Sequence, residues 1–187
     1  MRQEGLFGNL LKIVGVGDFL YGVYKLGEYY VNQQYNLIKE SEELILRIPT
    51  FSLFDNDWNL LQRYMEKKGN PKYSIGGDLD LARTPIKSLG NLQSVGGNLY
   101  LYGAKIKSLE NLQSVGGYLD LYETPIESLG NLQSVGGYLD LYGAKIKSLG
   151  NLQSVGGNLN LYGTPISKKY SRQEIRDMVN VNGNIYL

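Results

Sequence analysis

Ser94-Val95-Gly96-Gly97-Asn98-Leu99-Tyr100-Leu101 returns twenty residues later at 114–121, and again at 134–141 and 154–161, with no gap between copies. Ser74-Ile75-Gly76-Gly77-Asp78-Leu79-Asp80-Leu81 is a further copy. The run Val181-Asn182-Gly183-Asn184-Ile185-Tyr186-Leu187 matches once more, after one turn has lengthened from 20 to 26 residues. A fixed period of this size marks a solenoid, in which no repeat can bury its own apolar face and each relies on its neighbours to do so. Six strands are expected, one per coil.

The positions within a repeat have separate physical meanings. Leu99 and Leu101 alternate with Tyr100, as a strand with one buried face requires. Ile106, Leu109, Leu112 and Val115 follow at intervals of three, so the rest of the turn, irregular or a single helical turn, points apolar residues at the same core. Gly96-Gly97 precedes the strand, where a sharp corner calls for backbone freedom. A phosphate-cradling loop would need a following Lys-Ser/Thr, which none of these doublets has. Asn91, Asn111, Asn131 and Asn151 stack at another turn and are expected to hold backbone groups as a side-chain ladder.

The unit Leu99-x-Leu101-x-x-Ala104-x-Ile106-x-x-Leu109-x-x-Leu112 resembles the leucine-rich repeat. Thr84, Ala104, Thr124, Ala144 and Thr164 stand where that family has asparagine or cysteine, which implies coils that are tighter or less curved than in standard members. Gly-Gly-x-Leu-x-Leu followed by Thr-Pro-Ile, as in residues 117–126, is also similar to short repeats in proteins encoded by bacteriophages and bacterial mobile elements. The fold expected is an α/β repeat: a helical cap over 1–73, then a parallel-strand leucine-rich-repeat-like solenoid over 74–187. That second part includes a helix at about 171–180 and a final strand at about 182–187.

The first 73 residues lack the repeat. Leu20, Val23, Tyr24, Tyr30, Val31 and Leu37 recur as one face of a helix between 18 and 44. After Ile48-Pro49, Asp55 or Asn56 is placed to cap a second helix through Trp58, Leu60, Leu61 and Tyr64, stopped by Gly69 and Pro71. A solenoid's first coil has no preceding neighbour, so this helix is expected to cover it, with Trp58 as the plug. The apolar, glycine-interrupted run at 6–16 is expected to pack on the helices, the alternative being docking to a partner or a membrane surface.

The 19 Lys and Arg nearly cancel the 18 Asp and Glu, so no global field steers the chain to nucleic acid or membranes. The sequence has no Cys and no His, which excludes thiolate nucleophiles, zinc sites of the usual kind and the commonest general base. The reading is therefore not an enzyme, with no cofactor and no metal. Asp18, Lys25 and Glu28 interrupt the longest apolar region, and 6–16 lacks a small-residue cleavage site, so neither a membrane span nor a signal peptide is expected and the location is cytoplasmic.

If Leu99 and Leu101 point inward, their neighbours point outward and line up in columns. One column holds Asn98, Tyr118 and Tyr138, a second Tyr100, Asp120 and Asp140, a third Tyr102, Tyr122, Tyr142 and Tyr162. Strands about 4.8 Å apart make the tyrosines an aromatic strip and press Asp120 and Asp140 together. Tyrosine is over-represented in binding surfaces, and stacked like charges destabilise a sheet, so this face is expected to engage a basic patch on another macromolecule. The bland alternative is that tyrosine is simply a good strand former.

Beside the strip, Arg83, Lys87, Lys105, Lys107, Lys145 and Lys147 form a ridge broken by Glu123 and Glu127. It reads either as solvated surface or as a groove for RNA or single-stranded DNA. An acid/base role for Asp120 and Asp140 is poor, because an open sheet has no walls to part their pKa values. The resemblance to phage-borne repeats implies a protein or nucleoprotein of the bacterial host as partner, with inhibition of a CRISPR or other defence complex as its concrete form. A third reading is a structural, self-associating module, in which the open end after Ile185-Tyr186-Leu187 pairs with a second copy; the chain is then a monomer or an end-to-end homodimer.

Overall fold

The structure, a computed structural model, describes residues 38–40 and 43–187. The Leu-x-Leu runs form strands at Leu79–Asp80 (β4), Leu99–Tyr100 (β6), Leu119–Asp120 (β8), Leu139–Asp140 (β10), Leu159–Asn160 (β12) and Ile185–Tyr186 (β14). These stack in parallel as one six-stranded sheet, the leucine sheet. Each coil also makes a second strand just before its glycine corner, where the repeat had suggested only an irregular return. These strands are Lys72–Ile75 (β3), Leu92–Val95 (β5), Ser114–Val115 (β7), Ser134–Val135 (β9), Ser154–Val155 (β11) and Asn180–Val181 (β13). With Ile38–Glu40 (β1) and Glu43–Ile48 (β2) they form an eight-stranded serine sheet, parallel except for the antiparallel pair β1–β2. The chain is a repeat solenoid walled by two sheets.

Stacking is in register, like on like: Leu119 pairs with Leu139 and Ser114 with Ser134. One shift occurs, between Tyr73 and Ser74, where the first coil meets the regular ones. Leu99, Leu101, Ile106, Leu109, Leu112 and Val115 are all buried, and their equivalents above and below continue each as a column through the core. Fully burying one such side chain contributes about 1.5–3 kcal/mol, so the columns dominate the stability.

The glycine corner has a different cause from the one the sequence suggests. Gly116 and Gly136 do not have positive φ. A Cβ on Gly116 would instead strike the carbonyl oxygen of Gly96, and one on Gly136 that of Gly116. Coil-to-coil approach, held by bonds such as Gly116 N–H to Val95 O at 2.8 Å and Gly117 N–H to Gly97 O at 2.9 Å, leaves no room for a side chain. The asparagine ladder does bind backbone: Asn91 Nδ2 donates to Asn70 O at 2.7 Å, Asn111 Nδ2 to Gly90 O at 3.2 Å and Asn151 Nδ2 to Gly130 O at 3.4 Å. At the position of the leucine-rich-repeat asparagine, Thr84, Thr124 and Thr164 donate within their own coil, to the carbonyls of Leu81, Leu121 and Leu161.

At the amino-terminal end the serine sheet extends before the first repeat, because β2 pairs in parallel with β3 from Ile45↔Lys72 to Ile48↔Ile75. The helix expected over 18–44 is strand at 38–40 and 43–44; its remainder, like the run at 6–16, lies outside the described residues. The second helix is present at Trp58–Lys67 (α1), after a 3-10 turn at Phe51–Phe54. Its cap is Asp57, which accepts from the Asn59 and Leu60 N–H groups, not Asp55 or Asn56, both of which have left-handed backbones. Trp58, Leu61, Tyr64 and Met65 are buried, and Trp58 packs edge-on against Phe51. The buried Tyr73 hydroxyl donates to Leu89 O and accepts from Gln62 Nε2, both at 3.0 Å, pinning α1 to the first coil. Burial holds that phenol well above the ordinary tyrosine range.

A second helix closes the other end. Arg172–Met178 (α2) occupies the lengthened return between β12 and β13 and buries Ile175. Ser171 and Glu174 form a reciprocal capping box, and the two Ser171 donors keep the Glu174 carboxyl below the usual glutamate range. No helix among the described residues is long and apolar enough to cross a membrane.

Candidate functional site

The outer face of the leucine sheet carries the tyrosines in two stacks. Tyr118 and Tyr138 lie nearly parallel with ring centroids 5.3 Å apart, and Tyr100 meets Tyr118 edge-on at 5.8 Å. Four residues further along the chain, Tyr122, Tyr142 and Tyr162 form the second stack at 5.0 and 5.5 Å. Tyr102, expected in that strip, instead takes the Arg83 guanidinium over its ring at 4.9 Å. The strip is thus three rings with a separate cation–π pair at its end. Tyr162 and Tyr122 are its most exposed members, at 56% and 38%.

Between the two stacks run Asp120 and Asp140, paired in register on adjacent strands. Both carboxylates bind the backbone of their own coil. Asp120 Oδ1 accepts from Tyr122 N–H and Asp140 Oδ1 from Tyr142 N–H, both at 3.0 Å. Asp80 and Asn160 serve Ala82 and Tyr162 in the same way. These bonds to the residue two positions on shape the turns that end these four strands and, at three of them, aim the second tyrosine stack. Asn160 Nδ2 also donates to Asp140 Oδ1 at 3.0 Å, relieving one side of the carboxylate pair.

In the neighbouring column, Asp78 Oδ1 accepts from Asn98 N–H at 2.7 Å and Asn98 Oδ1 from Tyr118 N–H at 2.8 Å; Asn158 does the same for Asn184 at 2.8 Å. Tyrosine takes this position at Tyr118 and Tyr138, so in those two coils ring stacking replaces the asparagine bond. This coil-to-coil role of the first column was not legible in the sequence, because donor and acceptor lie a whole repeat apart.

The electrostatics follow from that crowding. Burial, and then the charge on Asp140, raise the Asp120 carboxyl above the usual aspartate range, partly offset by the Tyr122 N–H. Burial and the two aspartates push the Tyr118 hydroxyl well up, and burial and Asp140 push up that of Tyr138. Tyr122 is raised chiefly by the adjacent Glu123. Raised in this way, the Tyr118, Tyr122 and Tyr138 phenols are neutral at neutral pH. No protein-family model, no curated protein and no solved structure matches the chain.

The basic ridge is less coherent. Lys87, Lys105, Lys107, Lys145 and Lys147 are exposed, and Lys107 reaches Glu127 at 3.9 Å. Both partners are largely solvated, so that contact is worth little, but the glutamates at 123 and 127 divide the ridge into two short groups. Among the described residues no three potential metal ligands converge.

Proposed function

We propose that this chain is a non-enzymatic binding module that captures a protein or nucleoprotein through the leucine-sheet face, using Tyr118, Tyr138, Tyr122, Tyr142 and Tyr162 as contact area and Asp120 and Asp140 to receive a basic group. The observation that carries the reading is the pair of tyrosine stacks flanking two in-register aspartates. Tyrosine contributes large rigid contact area at low entropy cost, and carboxylates between aromatic walls are complementary to Lys or Arg. Following the resemblance to phage-borne repeats, the target is a component of the bacterial host, a defence nuclease or its guide-RNA complex being the concrete form.

The arrangement favours protein over single-stranded nucleic acid. A stacking groove needs free ring faces for bases, whereas here each ring in a stack lies against its neighbour. The aspartates between the stacks would also repel phosphate.

Affinity purification from a bacterial lysate, with nuclease treatment, of wild type and the Tyr122→Ala/Tyr142→Ala variant tests the proposal. A protein retained by wild type after nuclease and lost by the variant supports it. Recovery of RNA or DNA alone, released by raised salt and abolished by Lys105→Ala/Lys107→Ala, would replace it with the ridge.

A further inference from the structure

The last described coil, 181–187, presents an edge to which a further strand could add, and three of its carbonyls are already occupied. In the interior, Val155 O accepts from Asn182 N–H and Gly157 O from Gly183 N–H, each at 3.0 Å. One coil later the equivalent acceptors are Val181 O and Gly183 O. Arg176 donates to both, from one terminal nitrogen to Val181 O at 2.7 Å and from the other to Gly183 O at 2.9 Å. One helical turn earlier, Arg172 Nε donates to Ile185 O at 2.9 Å, in the edge strand of the other sheet. Two side chains at i and i+4 on α2 thus meet both sheets, and the planar fork of Arg176 matches two carbonyls as a lysine cannot.

We infer that Arg172 and Arg176, by occupying the edge carbonyls of the coil at 181–187, keep this edge from pairing with a second copy of the chain. The partner fitted by the uncapped end follows from the edge itself. Leu159 N–H and Leu161 N–H donate to Asn184 O and Tyr186 O in the next coil, so the corresponding Ile185 and Leu187 N–H groups face outward, with no acceptor among the described residues. The N–H and C=O of one strand residue point to the same side, so Ile185 offers both at the edge. Two such edges related by a two-fold axis exchange a pair of N–H···O bonds, the antiparallel arrangement of an isologous dimer. Arg172 removes the Ile185 carbonyl from that exchange. None of this depends on the tyrosine face.

The test is the mass in solution, by light scattering over a concentration series, of wild type, Arg172→Ala and Arg172→Ala/Arg176→Ala. Expected is a dimer fraction that rises severalfold from wild type to the single variant and further in the double variant, with Arg172→Lys, which keeps one donor, close to wild type. Reading the difference from wild type cancels any association made elsewhere in the chain. The sequence has no cysteine, so Tyr186→Cys in the double variant with a short bismaleimide locates the contact: a cross-linked dimer is expected, and none from Asn98→Cys. A double variant with wild-type circular dichroism and wild-type mass overturns the inference. If the double variant does not fold, an unchanged mass for Arg172→Ala overturns it equally.

Discussion

The serine sheet and the leucine sheet are built by the same repeat, stacked at the same spacing, and present opposite surfaces. On the serine sheet the outward positions of the four central coils repeat without change: Ser94, Ser114, Ser134 and Ser154 beside Gly96, Gly116, Gly136 and Gly156 line a shallow trough of about 370 Å³. On the leucine sheet the outward positions vary between coils, with asparagine, aspartate and tyrosine exchanging places above an unchanging floor of leucine. Folding therefore dictates one surface and leaves the other free. Beside the serine column the glycine corner has no space for a Cβ, whereas any side chain that ends the strand with a turn is accepted at 120 or 140.

Substitutions on the two faces put this contrast at risk. The largest effect on stability is expected at the corner: Gly136→Ala forces a Cβ against the Gly116 carbonyl and costs about 1–3 kcal/mol, whereas Ser134→Ala, on the same face, stays within about 0.5 kcal/mol. Urea denaturation measures both, and a Gly136→Ala variant as stable as wild type would show that the coils can part to admit the methyl group. On the other face, Tyr122→Ala/Tyr142→Ala/Tyr162→Ala is expected to weaken partner binding by about 2 kcal/mol or more, roughly thirtyfold, while Ser114→Ala/Ser134→Ala/Ser154→Ala leaves it unchanged. Equal losses from both triple variants, measured by titration calorimetry with the identified partner, would erase the distinction between the faces.

A smaller effect separates function from folding at one residue. The Asp120 carboxyl is raised in the fold, so its contribution to stability is present below the ordinary aspartate range and lost as pH rises through its folded value. Ionised Asp120 is therefore a cost at neutral pH. Asp120→Asn, which copies the turn already made by Asn160, is expected to stabilise by a few tenths to about 1 kcal/mol and to weaken partner binding, with the stability gain vanishing near pH 3. Thermal melts across pH check the sign. The smallest effect concerns α2: Glu174 is depressed, so the support of its capping box is present above the ordinary glutamate range and lost as pH falls through the folded value. Protection of the α2 amides against hydrogen exchange, taken relative to the intrinsic rate at each pH, is expected to fall in acid, and Glu174→Gln to blunt that response.

What was legible in the sequence divides along physical lines. Leu99-Tyr100-Leu101 announces its strand because burial alternates along it, and the period of the copies announces the stacking. The strand at Leu92–Val95 is silent because Leu92, Gln93 and Val95 are all buried, Gln93 through bonds of its amide to Asn91 O and from Gln113. That pattern has no alternation, and the strand exists through hydrogen bonds to other coils. The two tyrosine columns could be assigned from strand geometry alone, but not the departure of Tyr102 to Arg83, which depends on one side chain's reach. The arginine cap gave no signal, since its acceptors are carbonyls 5, 7 and 13 residues away.

The exactness of the register has a genetic consequence. Because Leu119, Leu139 and Leu159 sit directly on one another, an in-frame gain or loss of one whole repeat preserves the backbone pairing of the stack. It shifts only the span between the helices at the two ends. Recombination between near-identical segments of the coding sequence would therefore alter the length of the tyrosine-bearing face in steps of one coil, offering a lineage a set of rulers of graded reach without passing through an unfolded intermediate.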